Sequence, residues 1–443
     1  MNYREVIEHP EQFDFTIDSL GQGSLDNPLS NRRFTEEKER ILFPSQEQQV
    51  RDLLDRGHSL PSFEKAGPRQ KLFHDPHHSR AAIVTCGGLC PGINDVIKAL
   101  VRVLHHDYGV ENVYGIRYGY RGLSRRHQQS VILDPARVDD IHEQGGTILG
   151  SSRGSQDIGE MVETLQDMNV NLLFTIGGDG TLRGAGAIAA EARRRGLPLS
   201  VVGIPKTIDN DLSFTDRTFG FETAVYAAEG FITTAHNEAN GALNGVGLVK
   251  LMGRDSGFIA AYASLANTVV DFCLIPEVDF QLEGEHGLLK ALERRFASGR
   301  EHGVVVVAEG AGQPLFEGLE VQRDASGNVL KHDIGELLKG RIESHFKGLH
   351  QEITVKYFDP SYYIRSVAAR GADAIFCYQL AENAVHAALA GRTNMVVGHW
   401  NNEYVHIPIA LATLARRTVD PNGALWQAVL GMTRQEDYFR GTH

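Results

Sequence analysis

The sequence predicts an α/β fold of two Rossmann-like lobes, each a mostly parallel sheet sandwiched by helices, preceded by an amino-terminal extension. Three observations carry this expectation. From residue 80 almost to the end, short apolar runs alternate with amphipathic or Ala-rich segments of helical length. Several of those runs stop at Gly-rich or Asp-rich turns, the chemistry found beyond the carboxyl ends of parallel strands. One run, Gly303-Val304-Val305-Val306-Val307-Ala308, is almost entirely β-branched, as in a strand buried on both faces.

Bulk properties narrow the classes. The chain has 443 residues, 42% of them hydrophobic and 23% charged, enough for two or three domains or one large two-lobed enzyme. A formal net charge of −12 argues against nucleic-acid binding as the main activity, while local Arg and Lys still allow phosphorylated substrates. No run approaches a membrane-spanning length, and Met1-Asn2-Tyr3-Arg4-Glu5 carries no basic-then-apolar signal, so a cytoplasmic protein without membrane contact is expected. Cys86, Cys90, Cys273 and Cys377 have no zinc-ribbon or thioredoxin spacing and read as small buried residues.

Residues 1–79 are polar and irregular, and read as an extension packed on the main body or on a neighbouring subunit. Glu36–Arg40 and Gln46–Arg56 are its expected helices. His74, His77 and His78 read as surface histidines around Pro76 rather than as metal ligands. The first clear strand, Ala81–Cys86, runs into Gly87-Gly88-Leu89-Cys90-Pro91-Gly92-Ile93-Asn94-Asp95 and a helix from Val96 to about His106. Such a turn can cradle phosphate, but it lacks the dinucleotide spacing G-x-G-x-x-G. Val113–Ile116 leads to Arg117-Tyr118-Gly119-Tyr120-Arg121, where aromatic rings can stack on a purine and arginines can bind phosphate, or simply form a solvated loop. A further Gly-rich turn, Gly145 to Ser152, ends at Arg153.

The stretch from Asn171 to Asp211 is the most informative. It reads as a strand (Asn171–Ile176), the turn Gly177-Gly178-Asp179-Gly180-Thr181, an Ala-rich helix (Leu182–Arg195), a second strand (Leu199–Ile204) and the turn Pro205-Lys206-Thr207-Ile208-Asp209-Asn210-Asp211. In a βαβ unit both turns lie at strand exits, bringing three Asp, two Thr and one Lys to one crevice. The Gly-Gly pair and the helix start suit phosphate oxygens. A carboxylate between glycines repels bare phosphate, so Asp179 is read as the holder of a divalent cation. Asp209 and Asp211 suit a base and its orienting partner for a hydroxyl that attacks phosphorus.

Downstream, a long helix follows Phe219-Gly220-Phe221-Glu222 to about Ala239. The strand Val246–Leu251 exits at Met252-Gly253-Arg254-Asp255-Ser256-Gly257 and is followed by a helix from Phe258 to Ala266. Asp271–Ile275, the valine run ending at Glu309-Gly310, and Ile353–Tyr357 are further strands, with helices around Gly287–Ala297 and His332–Phe346. The rest is Ala-rich helix with one strand near Asn394–Val397.

Taken in order, Gly87-Gly88-x-x-Pro91-Gly92-x-Asn94, Gly177-Gly178-Asp179-Gly180-Thr181, Pro205 to Asp211 and Met252-Gly253-Arg254 resemble the 6-phosphofructokinases, over about residues 80 to 415. The extension, the Cys-Gly-Gly-Leu-Cys-Pro-Gly start and Asp359-Pro360-Ser361-Tyr362-Tyr363-Ile364-Arg365 look most like the long ATP-dependent type of plants, trypanosomatids and some bacteria. The resemblance implies transfer of a phosphoryl group from Mg-ATP to the 1-hydroxyl of fructose 6-phosphate, in glycolysis, by an allosteric enzyme that is commonly a homotetramer, with a homodimer as the alternative. It implies a nucleotide lobe (80–222 with about 365–415) and a sugar-phosphate lobe (223–364 with about 416–443).

By the same resemblance Asp209 is the base, Asp211 its support, Thr207 steadies the phosphoryl group, and Lys206 adds charge. Asp179 holds Mg2+. Gly88, Tyr120, Arg153, Gly178, Gly180 and Thr181 line the donor site. Met252, Gly253 and Arg254 meet the sugar phosphate, Glu309 its hydroxyls, and Lys356, Tyr362 and Arg365 its 6-phosphate end. The family often has Arg where this chain has Lys356 and His where it has Tyr362; a lysine offers a point charge in place of a fork. Pyrophosphate-dependent members share Lys206 but carry Asp at the position of Gly180. Glycine leaves room for a nucleotide α-phosphate, so ATP is the expected donor and pyrophosphate the alternative. A lipid or NAD kinase shares only the Gly177–Thr181 element, and a non-catalytic paralogue is opposed by Asp179 and Asp209.

Overall fold

The computed structural model of the protein describes residues 3–30, 32–318 and 331–442. The chain folds into two compact units: Met1–Gly220 with Ser366–Arg416, and Phe221–Arg365 with Arg417–His443.

The first unit is built on a nine-stranded sheet in the order Arg40–Leu42, Ser62–Lys65, Glu403–Pro408, Met395–Trp400, Ser200–Pro205, Leu172–Gly177, Arg80–Thr85, Asn112–Ile116, Ser130–Ile132. Its five central strands are parallel, and both margins are antiparallel. Leu172–Gly177, Ser200–Pro205 and Met395–Trp400 are buried along their whole length, which explains their continuous apolar character. Helices Ile93–Arg102, Asp179–Arg194 and Gly371–Leu389 cover the faces.

Residues 1–79 do more than lie against the body, because two of their strands extend this sheet. The second carries Glu64, whose Oε1 accepts from Arg69 (3.0 Å), Arg392 (2.9 Å) and His406 Nδ1 (2.9 Å), a buried ionic knot. Glu36–Arg40, expected as helix, is a turn that runs into the Arg40–Leu42 strand. The helix expected over Gln46–Arg56 spans Glu47–Asp55. His74 is not a surface residue: it is buried, with Nε2 3.0 Å from Ser200 Oγ and Nδ1 3.2 Å from Asn171 Nδ2. His77 and His78 are exposed. The hairpin from Met395–Trp400 to Glu403–Pro408 was not expected; Asn401 and Asn402, both left-handed (φ 48° and 64°), form the two-residue turn that asparagine favours there.

The second unit holds a four-stranded, fully parallel sheet, Phe272–Leu274, His302–Ala308, Gly245–Leu251, Thr354–Phe358. Val246, Leu248, Phe272, Val305 and Val307 pack against Leu288, Leu292, Leu338 and Phe346 from helices Leu288–Ala297 and Ile334–Gly348. Helix Phe221–Asn240 packs on the Gly245–Leu251 strand. All four cysteines are buried thiols. Among the described residues no helix is long and apolar enough to cross a membrane.

Candidate active site

In the first unit the Leu172–Gly177 and Ser200–Pro205 strands are adjacent and in register, Gly177 opposite Pro205. Their exits are joined directly: the Lys206 N–H donates to the Gly177 carbonyl over 2.9 Å. The two sequence-distant turns therefore share one crevice, as the βαβ pattern requires. Gly178 caps helix Asp179–Arg194, so Asp179 and Gly180 sit on its first turn, where N–H groups point outward and the helix end is electropositive. A Cβ built on Gly180 meets no heavy atom within 4 Å, so the space beside it is open. Asp179 is partly exposed, and its two oxygens lie 3.2 and 3.1 Å from Arg183 one turn on.

The second turn is held by its own side chains. The Thr207 hydroxyl donates to Asp211 Oδ1 (2.6 Å) and lies 3.3 Å from the Asp209 N–H. Asn210 is left-handed (φ 54°), and its Oδ1 accepts the Thr218 N–H (2.9 Å) while the Thr218 hydroxyl donates to the Thr207 carbonyl (2.6 Å). Asp211 is buried with Arg416 3.8 Å away, whereas Asp209 is only partly covered. Asp211 is thus the more deeply buried acid of the pair and Asp209 the less buried one.

Lys206 underlies the third exit. Its ammonium is buried, donates to the Gly88 carbonyl over 2.7 Å, and has its pKa lowered, first by burial and also by the charge of Arg153. The Arg153 loop is tied to the same place, since Gly87 N–H donates to Ser152 O (3.2 Å) and Ser151 Oγ to Gly87 O (2.6 Å). Gly88, Lys206 and Arg153 are therefore neighbours. Tyr120 behaves otherwise than the loop reading supposed: it is buried in the core, its ring packed beside Gly184 and its hydroxyl donating to the Thr181 carbonyl over 2.7 Å. It braces the helix start rather than presenting an open ring face. Thr181 is itself buried beneath Gly177.

In the second unit the exits of Gly245–Leu251 and His302–Ala308 interlock, with Glu309 N–H on Leu251 O (2.9 Å) and Gly310 N–H on Gly253 O (3.0 Å). Gly253 has φ 135°, and a Cβ at Gly310 would come within 1.9 Å of Arg254 O; both positions require glycine. Met252, Arg254 and Glu309 are gathered there. The Glu309 carboxyl is pushed up by burial, against the opposing charges of Arg254 and Lys250. Lys250 is buried and bonded to Asp333 (2.7 Å) and Asp359 (2.9 Å), which hold it charged against the cost of burial. Asp359 opens the turn carrying Tyr362 and Arg365, whose guanidinium lies 4.6 Å over the exposed Tyr362 ring. Lys356 is not part of this group: level with Gly247 in the strand register, it faces Glu238 at 3.7 Å.

A family model described as phosphofructokinase matches residues 80–388. The chain belongs to the phosphofructokinase family. It is 49% identical over 438 residues to an ATP-dependent 6-phosphofructokinase of Borreliella burgdorferi, covering 96% of this chain and 97% of that one. It is 44% identical to an ATP-dependent 6-phosphofructokinase of Trypanosoma brucei brucei, over 97% of this chain and 89% of that one. The crystal structure of a pyrophosphate-dependent phosphofructokinase from Marinobacter aquaeolei has the same fold (TM-score 0.66, 20% identity, 81% of this chain and 91% of that one).

Two residues of this phosphofructokinase escaped the sequence reading. Arg183 stands four residues after Asp179, the helical spacing of an ion pair, and that spacing was the available signal. Lys250 is the lone cation in the otherwise apolar strand Gly245–Leu251, and a charge inside a buried run demands partners.

Proposed function

We propose that the protein transfers the γ-phosphoryl group of Mg-ATP to the 1-hydroxyl of fructose 6-phosphate, releasing fructose 1,6-bisphosphate and ADP. The observation that carries this reading is the pairing of the Gly177–Thr181 and Lys206–Asp211 turns on adjacent strand exits, with open space beside Gly180. Gly180 places no side chain in the way of a nucleotide phosphate, and the relatives named above as ATP-dependent favour ATP over pyrophosphate.

Asp209, the less buried carboxylate of the pair, accepts the proton of the 1-hydroxyl as its oxygen attacks the γ-phosphorus and the bond to the ADP oxygen breaks. Asp211 and Thr207 hold the turn in shape; because the Thr207 hydroxyl is committed to Asp211, its first task is orienting. Among the described residues no three His, Cys, Asp or Glu side chains converge on a metal site. A single carboxylate beside a helix start still fits Mg2+, which usually takes one or two carboxylates together with substrate phosphates. Asp179 would hold it, and the ion when bound supplies positive charge over the phosphate oxygens. Gly88, Gly178, Gly180 and Thr181 form the donor cradle, with Arg153 and Lys206 adding charge as negative charge spreads in the transition state. Tyr120 enters only as a brace. Met252, Gly253, Arg254, Glu309, Tyr362 and Arg365 take the sugar phosphate, which makes the two units a nucleotide lobe and a sugar-phosphate lobe. Lys356 would have to leave Glu238 to join them. The working form is a homotetramer or homodimer, as the family implies, and its compartment is the cytoplasm, as the residues at the amino terminus suggest.

Initial rates with fructose 6-phosphate and either ATP or pyrophosphate, with and without magnesium, test the reading. Turnover is expected with Mg-ATP alone. Turnover with pyrophosphate and not ATP overturns it.

A further inference from the structure

The Asp209–Asp211 turn does not end at its own hydrogen bonds. Three residues past Asp211, Phe214 is fully buried and left-handed at φ 60°, a conformation that bulky side chains rarely adopt. Such a residue persists only where its surroundings over-determine it. Those surroundings come from the amino-terminal extension. The rings of Tyr3 (5.5 Å), Phe15 (6.0 Å), Phe43 (5.7 Å) and Phe63 (6.2 Å) surround the Phe214 ring at edge-on or tilted angles. These are separations at which aromatic pairs attract. The Phe214 N–H donates to the Tyr3 hydroxyl over 2.9 Å, so the backbone is held as well as the ring. Trp400, stacked on Phe43 at 5.1 Å and bonded to its carbonyl at 3.0 Å, ties this box to the sheet.

Between turn and box the chain has little freedom. Leu212 bridges to Arg416, and Ser213 donates to the Ala415 carbonyl over 2.6 Å. A shift of Phe214 therefore passes along a short, taut segment to the two carboxylates.

We propose that the amino-terminal aromatic box is a positioning element for the Asp209–Asp211 turn, so that Tyr3 acts on phosphoryl transfer through Phe214 without touching substrate. This rests on the function proposed above. It gives residues 3–63 a task in the reaction in addition to extending the sheet.

The test is Tyr3→Phe, which keeps the ring and removes the hydroxyl that accepts the Phe214 N–H. Expected are a fall in kcat of about tenfold, as for a small misplacement of a catalytic group, and KM values for both substrates within about twofold of wild type. Hydrogen exchange should quicken in the peptide spanning residues 207–218 and stay unchanged in the Leu172–Gly177 strand. Phe214→Gly accepts the left-handed backbone without strain and removes the ring that the box seats, so it should likewise lower kcat and quicken exchange in 207–218. Wild-type kcat and exchange in Tyr3→Phe, wild-type kcat and exchange in Phe214→Gly, or faster exchange across the whole sheet would each overturn the proposal. Faster exchange confined to 207–218, in a protein that does not phosphorylate fructose 6-phosphate at all, would support the link and defeat the function reading.

Discussion

The Thr207 hydroxyl donates to the Asp211 carboxylate across 2.6 Å, closing the turn that presents Asp209. Thr207→Val keeps the shape and deletes that donor. A hydrogen bond to a charged group contributes about 1.5–3 kcal/mol, so kcat should fall roughly tenfold to a hundredfold. Steady-state kinetics should show KM for fructose 6-phosphate nearly unchanged, because the loss is one of orientation.

Asp209→Asn tests the base. The amide cannot take the hydroxyl proton, and general-base catalysis contributes about 10²-fold or more, so kcat should drop by at least that factor. Binding of both substrates, measured by calorimetry, should persist. A variant retaining most of its kcat would remove Asp209 from that role.

Gly180→Asp separates donor recognition from folding. The new side chain enters open space on the first turn of helix Asp179–Arg194, where an acid is tolerated or mildly favourable, so the melting temperature should hold or rise slightly. Its charge would face the nucleotide phosphates. KM for ATP should rise at least about tenfold, equivalent to ~1.4 kcal/mol, while KM for fructose 6-phosphate changes little.

Lys250→Met tests the ionic keystone of the second unit. It leaves Asp333 and Asp359 facing each other without the ammonium, but these are 43% and 38% exposed and are partly rescued by water. A cost of about 2 kcal/mol in stability is expected, below that of a wholly buried pair. Since Asp359 opens the turn that carries Tyr362 and Arg365, KM for fructose 6-phosphate should rise with KM for ATP unaffected. Parallel thermal melts and kinetics check both halves.

Burial lowers the His74 pKa from 6.5 to about 4. Ser200 donates its proton to Ala388 O, so the His74 Nε2–H must donate to Ser200 Oγ, and Nδ1 accepts from Asn171; the ring is neutral when folded. Between pH 6.5 and 4 the unfolded chain binds a proton that the folded one refuses, so stability falls as pH drops through that window. The full cost is about 3 kcal/mol. His74→Gln should flatten the dependence of the melting temperature on pH there by about one proton, which a pH series of melts would reveal.

Local chemistry made most of the site legible before any coordinates. A strand buried on both faces must be apolar throughout, and a phosphate-binding exit must be rich in Gly, Asp and Thr, so Gly177–Thr181, Lys206–Asp211 and Met252–Arg254 carried their own meaning. Strands Arg80–Thr85, Leu172–Gly177 and His302–Ala308 were displaced by no more than about one residue from the apolar runs that announced them. The amino-terminal strands were silent because Arg40–Leu42 and Ser62–Lys65 are short, and the first has no buried residue. Their pairing partners lie far along the chain.

What belonged to the sequence alone was the alternation of elements, the two acid-bearing turns and the presence of glycine at 180, since each depends on residues within a few positions of one another. Tertiary structure decided the rest. It placed His74 in the interior, turned Tyr120 inward to brace Thr181, set Lys356 against Glu238, gathered Asp333 and Asp359 around Lys250, and seated Phe214 among rings from the far amino-terminal end. Each of those outcomes depends on which distant surface a side chain meets, and burial and pairing across long chain separations leave no periodic trace to read.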